Sequence, residues 1–284
     1  MLSALVLLAI SLSCVWLGGY AFLSLVAACC AVLSGEWVAM CGYSFPDAPT
    51  VWMPAVIVSA ALCGGLGLPG IGLLLMLAGT VAAIVFPAPP GRQGHDEASG
   101  WSQADGRDLR TATPTHPKFN LAFGLPYLGL AAVALPWLRA DPEAGFANTL
   151  FVLSIVWASD IGAYMAGRLL GGPKLAPAIS PGKTWSGAAG GLASATLTGV
   201  AAAGCFSPEI SASHAIGPGL AFGIISQAGD LLESALKRHF AVKDSGRIIP
   251  GHGGLLDRLD AVLAVAPVAA VLAFTVGRGV VLWR

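Results

Sequence analysis

Residues 48–91 read APTVWMPAVIVSAALCGGLGLPGIGLLLMLAGTVAAIVFPAPPG, 44 positions without a charge between Asp47 and Arg92. As an α-helix rising ~1.5 Å per residue, this run would measure about 66 Å, enough to cross a ~30 Å hydrocarbon layer twice. Its apolar residues are continuous rather than alternating at period two, which favours helices over a β-barrel. The pattern continues outward. Residues 1–35 carry no charge, and Glu36 is the first. Further uncharged runs cover 119–138, 184–208, 210–229 and 261–277, and 144–167 is broken only by Asp160.

These runs predict an all-α polytopic membrane protein. Spans are expected near 2–17, 20–35, 50–64, 66–86, 119–137, 146–167, 185–204, 213–235 and 260–281. That makes nine, or eight if residues 1–35 form one span across Gly18-Gly19. The expected organisation is an N-terminal set of helices over 1–137, with a polar loop at 88–118, and a C-terminal region over 138–284 that carries the chemistry.

The composition agrees. The 284 residues are 56% hydrophobic and 11% charged, with 15 basic and 15 acidic side chains. Mean hydropathy is +0.76. An ordinary soluble domain is roughly 25% charged. Disorder needs the opposite balance, and nucleic-acid binding needs a basic excess that is absent. In the nine-span layout, 12 of the 15 basic residues fall in loops on one side, leaving Arg139, Arg278 and Arg284 on the other. The positive-inside rule puts the richer side in the cytoplasm. The six cysteines lie in or beside apolar runs without a CxxC pair, which reads as packing rather than metal or redox chemistry. His95 and His116 read as plain residues of the 88–118 loop.

Three polar groups stand out against this background. Asp160 interrupts an apolar run, at a cost of about 2.5–3.5 kcal/mol for a mid-helix carboxylate, and so marks a polar site in the bundle. Next, Ser180-Pro-Gly-Lys183-Thr184 follows a Gly/Pro-rich break. There Ser180, Lys183 and Thr184 are expected near a helix N-terminus, where free N–H groups and a lysine favour an anion. The segment lacks the glycine pattern of a P-loop.

The densest group runs from Ser226 to Asp260. Spacings of three and four put Asp230, Glu233, Ser234 and Lys237 on one helical face. Arg238, Lys243 and Asp244 follow. Pro250-Gly-His252-Gly253-Gly254 forms a turn that lets backbone approach a ligand, and Asp257, Arg258 and Asp260 open the last helix. Carboxylates from two helices among five basic residues suit a divalent metal beside phosphates. Mg2+ is held through one or two carboxylates together with substrate phosphates.

The stretch from Ser234 to Asp260 resembles the signature of the phosphatidate cytidylyltransferases (CDP-diacylglycerol synthases). The residues that carry the resemblance are Lys237, Arg238, Lys243, Asp244, Gly246, Pro250, His252, Gly253, Gly254, Asp257, Arg258 and Asp260. Ser159-Asp160 with Ala163-Tyr164, and Ser180-Pro181 with Lys183-Thr184, fit the same family. One position departs: Ser186 stands before Gly187 where the family usually has Glu.

The resemblance implies transfer of the cytidylyl group of CTP to phosphatidic acid, giving CDP-diacylglycerol and pyrophosphate. It also implies Mg2+ dependence, with room for a second metal ion, an all-helical fold in membrane lipid, and a homodimer. By position, Asp230 and Asp257 correspond to the metal carboxylates, with Asp260 and Asp160 as further ligands or orienting groups. Lys237, Arg238, Lys243 and Arg258 become candidate phosphate clamps. Lys183 with Ser180 and Thr184 becomes a second phosphate or nucleotide contact. His252, Gly253 and Gly254 shape the loop. The location that follows is the bacterial inner membrane, with the site facing the cytoplasm. Two rivals are a CTP-dependent lipid kinase and a secondary transporter. The transporter would show broken helices in two matching halves, and no internal repeat is visible.

Overall fold

Gly18, at φ 62° and ψ −153°, occupies a backbone region closed to side-chain-bearing residues and ends the first helix. The first uncharged run therefore makes two helices, α1 (Leu2–Leu17) and α2 (Gly19–Met40). The structure, a computed structural model, describes residues 2–86, 117–246 and 253–284. Residues 88–116 of the expected polar loop, Arg247 and His252 lie outside the described residues.

Proline at the first helical position starts α3 (Pro49–Gly65) and α4 (Pro69–Val85), where its missing N–H costs nothing. Next come α5 (Pro117–Arg139), α6 (Gly145–Leu170), α7 (Trp185–Phe206), α8 (Ile216–His239) and α9 (Leu256–Val276). Among the described residues, six helices (α2 and α5 to α9) are long and apolar enough to cross a membrane, and α3 and α4 are shorter apolar helices. The chain is an all-α polytopic membrane protein.

The Ser180 segment leads into a helix N-terminus as expected, but through a hairpin that the sequence does not announce. Residues Lys174–Ala176 (β1) and Ser180–Thr184 (β2) pair as a small antiparallel hairpin, Lys174 opposite Thr184 and Ala176 opposite Ser180. Pro181 and Gly182 are poor helix formers, and the hairpin absorbs them. Only Thr184 meets the helix end. It is the N-cap of α7, accepting the N–H of Gly187 at 3.1 Å. The last helix begins at Leu256, so Asp257 opens it as its position predicts, ahead of the apolar span expected from residue 260.

The bundle is organised around α5, which packs against α2, α3, α4, α6 and α9. An aromatic knot at one end ties α2 and α5 to the segment after α8. Trp37 is wholly buried, donates Nε1–H to the Asn120 carbonyl at 3.0 Å, and lies 5.4 Å from the Tyr127 ring and 5.5 Å from that of Phe240. On the other flank α7 presents Gly187, Gly191, Ala195, Gly199 and Ala203 at four-residue spacing, all buried against its neighbours. Small residues let helix backbones close up where no hydrophobic drive exists between lipid-embedded helices. A Cβ on Gly191 would fall 2.9 Å from the Ser159 carbonyl of α6. That close approach sets the hairpin and Lys183 over α8.

Candidate active site

The polar face of α8 forms as its spacing predicts. Glu233 is buried, and its Oε2 pairs with Lys237 Nζ one turn later at 2.8 Å. Lys237 also reaches across to Asp257 Oδ1 on α9 at 2.9 Å. One ammonium thus bridges carboxylates from two helices.

Asp257 is held from the other side as well. Its Oδ2 accepts the N–H of Gly254 at 2.9 Å, the N–H of Ser245 at 3.1 Å and the Ser245 hydroxyl at 3.2 Å. Gly253 sits at φ +79°, and a Cβ there would lie 2.8 Å from Asp257 Oδ2. Glycine is what allows the loop to wrap this carboxylate. Three residues on, along the same face of the helix, Asp260 is buried and meets α8 one turn nearer its start, at Asp230 and Glu233.

There Asp230, Glu233 and Asp260 each bring one oxygen to within 4.8 Å of the others. Lys183 from β2 meets Asp230 Oδ2 at 2.6 Å, as a charge contact that leaves its ammonium without an aligned hydrogen bond. Asp160 of α6 lies near enough to act electrostatically on Asp230 and Lys183. On the same helices and on α5, Glu233 Oε1, Ser226 Oγ, Ser159 Oγ and the Tyr127 hydroxyl are buried with no hydrogen-bond partner among the described residues. An orphaned buried polar atom costs about 1–3 kcal/mol, and like charges this close repel. Lys183 and Lys237 balance two of the five carboxylates. An oxygen-seeking cation such as Mg2+ fits the remainder: hard anionic donors, a buried oxygen with nothing to bind, and a charge deficit.

A family model described as the cytidylyltransferase family matches residues 1–276. The chain belongs to the cytidylyltransferase family. It is 50% identical over 151 residues to the phosphatidate cytidylyltransferase of Brucella suis biovar 1 (strain 1330), covering 51% of this chain and 53% of the relative. The protein of the same name from Staphylococcus aureus (strain COL) is 38% identical over 153 residues, covering 54% of this chain and 59% of the relative. These matches span little more than half the length of the curated relatives.

Within this cytidylyltransferase-family fold, the residues singled out from sequence fall into two groups. Asp160, Lys183, Asp230, Lys237, Asp257 and Asp260 converge. Ser180 pairs within the hairpin, and Arg238 Nε donates to the Ile179 carbonyl at 3.4 Å, so α8 and the hairpin meet there. Lys243 and Asp244 are exposed on the loop after α8, Arg258 is exposed in the first turn of α9, and Gly254 is buried. Ser186, where the family usually has Glu, donates to the Gly171 carbonyl and pairs with Thr184 Oγ1 at 3.0 Å, closing the base of the hairpin. Two residues escape the sequence reading. Tyr127 of α5 feels the charges of Asp260 and Glu233, yet in sequence it is one aromatic in an apolar run. Glu36 is buried beside the α9 N-terminus. Its one signal is that it closes a 35-residue uncharged stretch.

Proposed function

We propose that the protein transfers the cytidylyl group of CTP to phosphatidic acid, giving CDP-diacylglycerol and pyrophosphate. The observation that carries this reading is the convergence of Asp230, Glu233 and Asp260 with Lys183 and Lys237. Family membership and the printed names of the relatives support it. The lipid phosphate is already an anion near neutral pH and needs no strong base. Its oxygen forms a bond to the α-phosphorus of CTP, and the bond from that phosphorus to the bridging oxygen of the pyrophosphate breaks. The difficulty is to bring two anions together in line.

The chain's residues divide this task. Asp230, Glu233 and Asp260 would hold Mg2+. Asp257, whose oxygens take the Lys237 ammonium, two N–H groups and the Ser245 hydroxyl, stands beside that trio and would join a metal only by giving up one of those donors. The resemblance pairs Asp230 with Asp257, and Lys237, bridging Glu233 and Asp257, joins that pair to the geometric trio. Bound Mg2+ supplies charge neutralisation at the reacting phosphates. Lys237 keeps two carboxylates in register, so its part is to order the row. Lys183, Arg238, Lys243 and Arg258 remain the cations for phosphate, with Lys183 held by the hairpin beside Asp230. The active site is placed at the cytoplasmic face of a bacterial inner membrane, on the loop distribution of basic residues. A homodimer is proposed on the resemblance alone.

Purified protein, labelled CTP, phosphatidic acid and Mg2+ test the reading. The expected products are CDP-diacylglycerol and pyrophosphate in equal amounts. A phosphorylated lipid with CDP would replace it with a kinase, and turnover of neither substrate would reopen transport.

A further inference from the structure

Glu36 lies near the end of α2, in the half of the sequence farthest from the signature, yet its carboxylate is built into the start of α9. Only 4% of the residue is exposed. Oε1 accepts the N–H of Leu255 at 2.8 Å, and Oε2 accepts that of Leu256 at 2.9 Å and the Ser245 hydroxyl at 3.2 Å. These two N–H groups are among those that a helix leaves without internal partners. The N-cap of α9, Leu255, has no side chain able to satisfy them. Glu36 therefore caps α9 from another helix, with its negative charge at the positive end of the α9 dipole.

The enclosure is tight. A Cβ on Gly246 would lie 2.6 Å from Glu36 Oε1, and one on Gly254 would lie 2.8 Å from it. The Ser245 hydroxyl stands 3.2 Å from Glu36 Oε2 and 3.2 Å from Asp257 Oδ2, so the cap and the site carboxylate share a neighbour. The first turn of α9 carries Asp257, and the next carries Asp260. Each residue of a helix is rotated ~100° from the last, so a slip of one residue would take Asp257 off Lys237 and Asp260 off Asp230 and Glu233.

We infer that Glu36 is a positioning residue of the active site, fixing the height and rotation of the α9 first turn through Leu255, Leu256 and Ser245. This rests on the function proposed above for the reaction, though not for the geometry. Glu36 acts through the helix start and not on the substrate.

The decisive variant is Glu36→Gln in the full chain. It keeps the size but turns one acceptor into an NH2 donor facing a backbone N–H. Three quantities are read: amide exchange over residues 253–258, Mn2+ binding followed by its EPR signal, and turnover with CTP and phosphatidic acid against Mg2+ concentration. Exchange at 253–258 should accelerate while α5 and α6 stay protected. Mn2+ binding should weaken severalfold, and kcat should fall on the order of tenfold with KM for CTP changed much less. Ser245→Ala, which removes one donor, should move all three in the same direction by less, and it carries the test if the Gln variant does not fold. If wild-type protein makes no CDP-diacylglycerol, the proposed function fails, and exchange and Mn2+ binding still decide the role of Glu36. Unchanged exchange and Mn2+ binding in folded variants would overturn it. So would a loss confined to the amount of folded protein, with kcat per folded molecule intact.

Discussion

Asp257 uses its two oxygens differently. Oδ1 takes the Lys237 ammonium, and Oδ2 takes two backbone N–H groups and the Ser245 hydroxyl. An amide in its place would keep the volume while removing the charge and pointing an NH2 at a donor on one side or the other. Asp257→Asn should therefore cut CDP-diacylglycerol formation by about a hundredfold or more, since charge and alignment are lost together. Size-exclusion chromatography of the same preparation should show inserted, monodisperse protein. Turnover within a few fold of wild type would remove Asp257 from the site. The sequence makes Asp257 conspicuous because a carboxylate beside an apolar helix needs a reason. Glu36 is more deeply buried but stands alone near the end of α2, and its partners are backbone N–H groups and a hydroxyl far along the chain. Side chains that bond to backbone leave no pattern of residue types to read.

Helices carry those side chains to one place, and α7 shows how closely the elements must fit. Gly191 would place a Cβ 2.9 Å from the Ser159 carbonyl, next to Asp160, whereas Gly204 on the same helix has nothing nearer than 4.0 Å. Gly191→Leu should push α6 and α7 apart, lower the thermal midpoint in detergent, and take Lys183 off Asp230 with loss of turnover. Gly204→Leu should leave both nearly unchanged. Equal behaviour of the two variants would argue against close α6–α7 packing as the support of the hairpin. At this scale the sequence is highly informative about helices, since uncharged runs and Gly/Pro breaks fix them within a few residues. The β1–β2 hairpin is not legible there. It is stabilised by a three-residue strand and the hydrogen bonds of Ser186, too short a pattern to register as alternation. The start of α9 is legible, since Asp257 opens the last helix ahead of its apolar run, but the cap that Glu36 supplies to it is not.

Over the whole molecule, α5 spans from the site to a second polar cluster. Asn120 in its first turn lies 3.1 Å from His239, and Arg139 at its far end donates to the Val15 carbonyl at 2.8 Å. The site end has carboxylates short of partners. The far end is a lock in which the Asp141 carboxylate and the Asn148 amide oxygen each have their donors. Asp141 accepts the N–H groups of Gly279 at 2.7 Å, Ala144 at 2.9 Å and Glu143 at 3.0 Å. Asn148 clasps the C-terminal tail through Val280 and Leu282, and Trp283 is buried against Phe151 with ring centroids 4.6 Å apart. This difference is why the sequence locates the site but not the lock: unmet charge clusters in type and spacing, whereas the lock uses scattered single residues. Burial works to raise the Asp141 pKa, but the three N–H groups, aided by Arg278, outweigh it and hold the carboxyl below its usual range. A carboxyl depressed in the folded state stabilises the fold above its unfolded pKa, about 3.9, and that contribution fades as pH falls through the lower folded value. Asp141→Asn should therefore lower the thermal midpoint at pH 7. The gap to wild type should narrow as pH drops below about 4, where wild type also loses the charge. Turnover at pH 7 should stay within about twofold, because separated sites without shared partners behave independently. A midpoint gap that is constant from pH 7 to pH 3 would mean that the carboxylate charge contributes nothing there. A large loss of turnover would mean that the two ends of the bundle are coupled, so that tightening or loosening the tail reaches the row of carboxylates through α5.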